Sequence, residues 1–300
     1  MDDTTIESLI HLHEDGAFNR RELLDRLVKY TGSVVAATAI VEKAGLLHAQ
    51  TLACPEGVRV PADAPDLENT NVTLFGEGGP LFAYLSRPRQ SPRPAVLVIH
   101  ENRGLNDHIK DVTRRVARAG YVALGVDLLS RQGGTGAFPD PAAAAAAYGR
   151  TQPAERLQDM RSAILTLKGQ FYVQADRLGA IGFCAGGQNC FDVALNSPDI
   201  TAAAVYYGSV PNDADAFQNM NASLLGIFAE LDRNINAGLS RLLTGLHQHQ
   251  KSYELHLYQG ARHAFHNDTG ASYHPEAACD AWAKTIAFFR RHLDAPRALP

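Results

Sequence analysis

The feature that most constrains this chain is a rhythm. Ala95–Ile99, Val122–Val126, Leu178–Ile181, Ala202–Tyr206, Leu224–Phe228 and Leu255–Tyr258 are short, almost wholly apolar segments that read as strands. Between or after them, helices are expected near 107–119, 154–168, 187–196, 237–250 and 275–292. A strand that is apolar along its whole length has no face for water, so it must be covered on both sides. Strands separated by helices pair in parallel. The chain is therefore expected to form an α/β fold, a mainly parallel twisted sheet with helices on both faces. In such sheets reactive groups gather at the carboxyl ends of the strands. Upstream, Asn71–Phe75 and Leu81–Leu85 flank Gly76-Glu77-Gly78-Gly79, which predicts a hairpin. Ala142–Ala147 after Asp140-Pro141 is a good helix start.

Residues 1–60 read differently. Helices are expected over Ile6–His13, Arg20–Tyr30 and Val34–Leu47, and 54–70 is a linker rich in Pro, Asp and Ala. The expected division is a helical N-terminal extension, 1–60, and an α/β domain, 61–300. The segment Asn19-Arg20-Arg21-Glu22-Leu23-Leu24 resembles a weak twin-arginine export signal. It equally suits a helix capped by Asn19 with Glu22 at its third position. The expected location is cytoplasmic, with the periplasm as the alternative. The net charge of −4 gives no basic footprint for nucleic acid. No apolar run reaches the roughly 20 residues that span a bilayer. The four cysteines show no CxxC spacing, and nothing in their number calls for an oxidising compartment.

Chemistry is announced by Gly182-Phe183-Cys184-Ala185-Gly186-Gly187, lying between a strand and a helix. This is the setting of a nucleophile elbow, whose sharp turn needs small flanking residues. A helix N-terminus under the sulfur favours thiolate. The same pattern also fits a glycine-rich turn around an inert cysteine. Asp232 follows the strand Leu224–Phe228, and His263 follows Leu255–Tyr258. Either alone would pass for a cap or a structural loop residue. The order Cys184, Asp232, His263 is that of nucleophile, acid and base in α/β hydrolases. His100-Glu101-Asn102-Arg103-Gly104-Leu105 closes an earlier strand, where one oxyanion-hole donor is expected. The backbone N–H groups of Asn102 and Ala185 are the candidate pair. Glu101 could hydrogen-bond the thiol or take its proton. No metal-ligand set such as H-E-x-x-H and no G-x-G-x-x-G loop after the first strand is present, so no metal or cofactor is expected.

At these residues the chain resembles the dienelactone hydrolase (carboxymethylenebutenolidase) family, over about residues 70–293. The resemblance is carried by His100–Leu105, Asp127-Leu128-Leu129-Ser130-Arg131, Gly182–Gly187, Tyr206-Tyr207-Gly208, Asp232 and His263-Ala264-Phe265. It implies an α/β-hydrolase fold and a Cys184–Asp232–His263 triad tuned by Glu101. It also implies a substrate site including Arg131, as the cation for a substrate carboxylate, and Tyr207. One position departs from the pattern: the family's second arginine, four residues after the histidine, is Asn267 here. Half of a two-arginine clamp is thus absent, which argues against dienelactone itself as substrate. The implied activity is hydrolysis of a small ester or lactone through a thioester acyl-enzyme. The alternatives are a broad carboxylesterase or thioesterase, or a non-catalytic relative that binds a ligand. The helical extension is foreign to the family's minimal domain and is a candidate for covering a hydrolase face or building a homodimer contact.

Overall fold

The computed structural model describes Ile6, Leu9 and residues 20–31, 59–90 and 92–294. The chain divides into two compact units, 1–53 and 54–300. In the first, α1 (Arg20–Thr31) matches the expected helix and buries Leu23 and Leu27, one turn apart. The expected helix over Val34–Leu47 lies outside the described residues. Among the described residues no helix is long and apolar enough to cross a membrane.

The second unit opens with β1 (Leu67–Gly76) and β2 (Gly79–Pro88), a hairpin in register from Leu67↔Pro88 to Gly76↔Gly79. The hairpin is longer than expected, and residues 67–70, read as linker, are strand. Their polar character suits a sheet edge with one face in water. There follow β3 (Arg93–Ile99), α2 (Asp107–Arg118), β4 (Val122–Val126), α3 (Pro141–Tyr148), α4 (Pro153–Lys168), β5 (Val173–Phe183), α5 (Ala185–Asn196), β6 (Ile200–Tyr206), β7 (Ser223–Ala229), α6 (Arg233–Asn236), α7 (Leu239–Gln248), β8 (Tyr253–Tyr258) and α8 (Pro275–Phe289). The eight strands form one sheet in the order β1-β2-β4-β3-β5-β6-β7-β8. β2 pairs antiparallel with β1 and β4, and all other neighbours are parallel.

The apolar runs explain the two-sided core. Along β3, Ala95, Leu97 and Ile99 join one buried cluster, while Val96 and Val98 join the other. Alternate side chains of a strand point to opposite faces, so one run feeds both cores. The first cluster takes Met160 and Ile164 of α4, Phe191 of α5 and Leu242 of α7. The second takes Ile109, Val112 and Val116 of α2 and Ala281 and Phe288 of α8. Helix starts follow local capping chemistry. The side chain of Asn106 accepts the Ile109 N–H at 3.1 Å, and that of Asp140, just before Pro141, accepts the Ala143 N–H at 2.8 Å.

Candidate active site

The elbow forms where β5 turns into α5. Cys184 adopts φ 56°, ψ −117°, a conformation that an L-residue holds only when its surroundings enforce it. Its N–H donates to the Tyr206 carbonyl at 3.0 Å. A Cβ on Gly182 would sit 2.0 Å from the Gly186 carbonyl oxygen, and one on Gly186 would sit 2.4 Å from the carbonyl oxygens of Ile99 and His100. The glycines are therefore required by close backbone approach, which lets α5 begin directly against the end of β3. Cys190, one helix turn and a half on, is fully buried against the Ala204 carbonyl, and burial pushes its thiol up; it is a packed core residue.

The loop after β8 brings His263 to this point. Its Nδ1 bonds the Asp232 carboxylate at 2.5 Å, leaving Nε2 for the sulfur. Interaction with the Cys184 thiol is the strongest influence on this imidazole. With the help of Asp232 it overcomes burial and raises the His263 pKa to about 9. Asp232 itself is buried at the start of α6.

Glu101 is 6% exposed at the end of β3. Burial raises its pKa; Asn267, His263 and Arg103 pull the other way. Its Oε2 accepts the Asn267 amide at 3.0 Å, and its Oε1 is buried with no partner among the described residues. The Glu101 turn closes with Gly104 N–H donating to the Glu101 carbonyl at 3.4 Å. It is tied down by His100, whose Nε2 accepts the Leu128 N–H at 2.9 Å, so Nδ1 carries the proton and donates to the Glu101 carbonyl. Among the described residues the amides of Asn102 and Ala185 find no protein acceptor.

Two residues sit elsewhere than the resemblance implies. The Arg131 fork is already filled by a carboxylate of the protein: Nε and Nη2 donate to Asp159 at 3.0 and 2.8 Å, and Nη2 also to Gln158 at 2.8 Å. A Cβ on Gly78, in the β1–β2 turn, would lie 2.1 Å from the guanidinium carbon, so Arg131 pins the hairpin to α4. Tyr207 is 1% exposed and offers a ligand no surface. Its ring packs on His263 at 5.1 Å and Phe265 at 5.6 Å. Its hydroxyl, beside the His266 backbone, completes no hydrogen bond among the described residues. Burial and the nearby Glu101 and Cys184 push its pKa well up. Tyr207 is thus a support under the imidazole.

Sequence reasoning missed the pairing of Asn267 with Glu101, 166 residues apart, and the part of His100 in tying the Glu101 turn to the Leu128 backbone. Neither has a local sequence signal. It also missed a cross-link: Cys184 and Cys190 are free, but Cys279 is disulfide-bonded.

Comparison with known proteins agrees with the architecture. A Saccharolobus solfataricus relative, provisionally named a carboxymethylenebutenolidase, is 33% identical over 247 residues, covering 72% of this chain and 95% of its own length. A Bradyrhizobium relative, provisionally named a 2-oxo-3-(5-oxofuran-2-ylidene)propanoate lactonase, is 34% identical, covering 76% of this chain and 96% of its own. Among solved structures, a Klebsiella pneumoniae protein provisionally named a dienelactone hydrolase superposes with a TM-score of 0.70 at 28% identity, covering 75% of this chain and 99% of its own. The Anabaena variabilis dienelactone hydrolase, at 18% identity and a TM-score of 0.61, shares the fold. The family model described as the dienelactone hydrolase family matches residues 81–293. With that match spanning the sheet from β2 to the end of α8, the chain belongs to the dienelactone hydrolase family and is a hydrolase of ester or lactone bonds on an α/β-hydrolase fold.

Proposed function

We propose that Cys184, His263 and Asp232 act as nucleophile, base and acid in opening a small carboxylic ester or lactone. The observation that carries this is the Asp232–His263 bond, with the same imidazole interacting with the Cys184 sulfur across three strand ends. The surroundings that raise the His263 pKa, the sulfur first and Asp232 with it, favour the imidazolium that forms when the ring takes the thiol proton. The S–H proton passes to His263 Nε2, with Glu101 as a second acceptor. The sulfur forms a bond to the carbonyl carbon, whose π electrons move to oxygen. That oxyanion rests on the Asn102 and Ala185 N–H groups; losing one such donor typically costs about 10²–10³ in rate. Collapse expels the alkoxide or enolate, protonated by His263, and leaves a thioester. Water, activated by His263, then releases the acid and restores the thiol.

The oxyanion donors are neutral amides, Arg131 is spent on Asp159, and the remaining cation is Arg103 on the Glu101 turn, so half of a two-cation clamp is missing. A substrate carried by its acyl and leaving groups fits this better than one held by a carboxylate clamp. For location, the disulfide at Cys279 favours an oxidising compartment over the cytosol.

The test is mass spectrometry of intact protein mixed with a panel of activated aryl esters, lactones and thioesters. An acyl adduct should appear on the peptide carrying Cys184. Cys184→Ala should lose the adduct and at least about 10⁴-fold in turnover while keeping its melting temperature. An adduct elsewhere, or undiminished turnover in that variant, would sink the reading.

A further inference from the structure

The turn that delivers His263 does a second thing. Ala264 takes φ 64°, and the segment is then locked by two successive backbone bonds, Asn267 N–H to the Ala264 carbonyl and Gly270 N–H to the Asn267 carbonyl, both 3.0 Å. Asn267 is buried, and its amide cannot swap ends. Its Oδ1 accepts from the Thr269 N–H at 3.0 Å and the Thr269 hydroxyl at 2.7 Å, so the NH₂ must face Glu101. Glu101 Oε2 receives that NH₂ at 3.0 Å, while Oε1 is left buried and unsatisfied.

We infer that Asn267 is a positioning residue for Glu101: locked by Thr269, it occupies one carboxylate oxygen and leaves the other open to give or take the proton exchanged with the Cys184 site. This rests on the reading of Cys184 as nucleophile. A neutral donor suits the task. It fixes the carboxylate without the full charge that would hold it ionised, and a buried carboxylate with an empty oxygen retains affinity for a proton. The groups facing Glu101 are few. Arg103 stands on its own turn and His263 on the Asn267 turn. Tyr207 comes from the end of β6, with a hydroxyl that senses both Glu101 and Cys184. Thr269 acts only through Asn267, and the anchor of the whole turn is Asp268, bonded to Arg115 at 2.7 Å.

The test compares Asn267→Leu, Asn267→Asp and Thr269→Val with the parent. Asn267→Asp is nearly isosteric and keeps both Thr269 bonds, so it guards against a variant that merely fails to fold. The protonated-carboxyl infrared band of Glu101, identified by its absence in Glu101→Gln, is followed against pH. The midpoint should rise by about one pH unit in Asn267→Leu and by more in Asn267→Asp, where like charges face each other. Thr269→Val should move it less than either. The acid limb of kcat/KM and the pH dependence of Cys184 alkylation by iodoacetamide should shift in the same direction. An unmoved infrared midpoint in both Asn267 variants overturns the inference. A midpoint that moves while alkylation and kcat/KM stay put overturns the link to the thiol. Loss of the nucleophile reading would show separately, as full turnover in Cys184→Ala.

Discussion

Glu101 and Asp268 are buried or half-buried carboxylates bonded to or carried by the same turn, and they are treated in opposite ways. Asp268 receives Arg115 at 2.7 Å, Arg59 at 3.1 Å and His108 at 3.2 Å. Burial works against its charge, but these partners, led by Arg115, hold its pKa down at about 2. Glu101 receives one neutral amide, keeps an empty oxygen and has its pKa raised. The residue in front of Asp268 is the one that serves Glu101. The contrast separates two uses of a carboxylate. Where it is surrounded by cations it fastens elements together; where it is kept short of partners its proton affinity stays adjustable, as chemistry requires.

The contrast can be broken at the fastened end first. Arg115 bridges Asp111 and Asp268, so Arg115→Met leaves two carboxylates without their main cation. We expect a loss of roughly 3 kcal/mol in unfolding free energy and, because the Arg115–Asp268 bond anchors the turn that carries His263 and Asn267, a fall in turnover as well. A change below about 0.5 kcal/mol in chemical denaturation would show that the cluster is solvated rather than structural.

Acidity sharpens the comparison next, because the two carboxylates bear on stability with opposite sign. The depressed pKa of Asp268 contributes stability that is present above its ordinary value of 3.8 and is lost as pH falls toward about 2. Asp268→Asn should flatten that acid limb. The raised pKa of Glu101 costs stability once pH climbs above the ordinary 4.5. Glu101→Gln should therefore raise the melting temperature at pH 7 while impairing turnover. Melting curves from pH 2 to 8 check both, and a destabilised Glu101→Gln at neutral pH would erase the distinction.

The smallest effect is expected at Arg131. With its guanidinium committed to the buried Asp159, Arg131→Ala should leave KM for a carboxylate-bearing ester within about twofold and cost roughly 1–2 kcal/mol of stability. A large, selective rise in KM for that ester would restore the carboxylate-binding role that the resemblance implies.

The sheet was readable because its signal is local. Continuous apolar runs such as Ala95–Ile99 and Val122–Val126 can only be central strands, and the glycines around Cys184 declare a close backbone turn. The ends of strands were less readable. Leu67–Thr70 is a largely polar segment whose extended form is set by pairing with Pro88, Arg87, Ser86 and Leu85 and not by its own composition. Partnerships were least readable. Whether Arg131 is free depends on Asp159 arriving from α4, and Tyr207 carries no mark in its own neighbourhood to say that its ring lies under His263. The disulfide at Cys279 was equally silent in a chain with so few cysteines.

His263 and Asn267 hang from a single tightened bend, four positions apart. The imidazole and the amide that steadies Glu101 therefore share one lever. A ligand that nudges the bend retunes two proton-handling groups together, and a change in its length by one residue would put them out of step. Altering the pH response of this protein by swapping side chains is then a modest undertaking, whereas regrafting the bend means rebuilding both halves of the proposed proton relay at once.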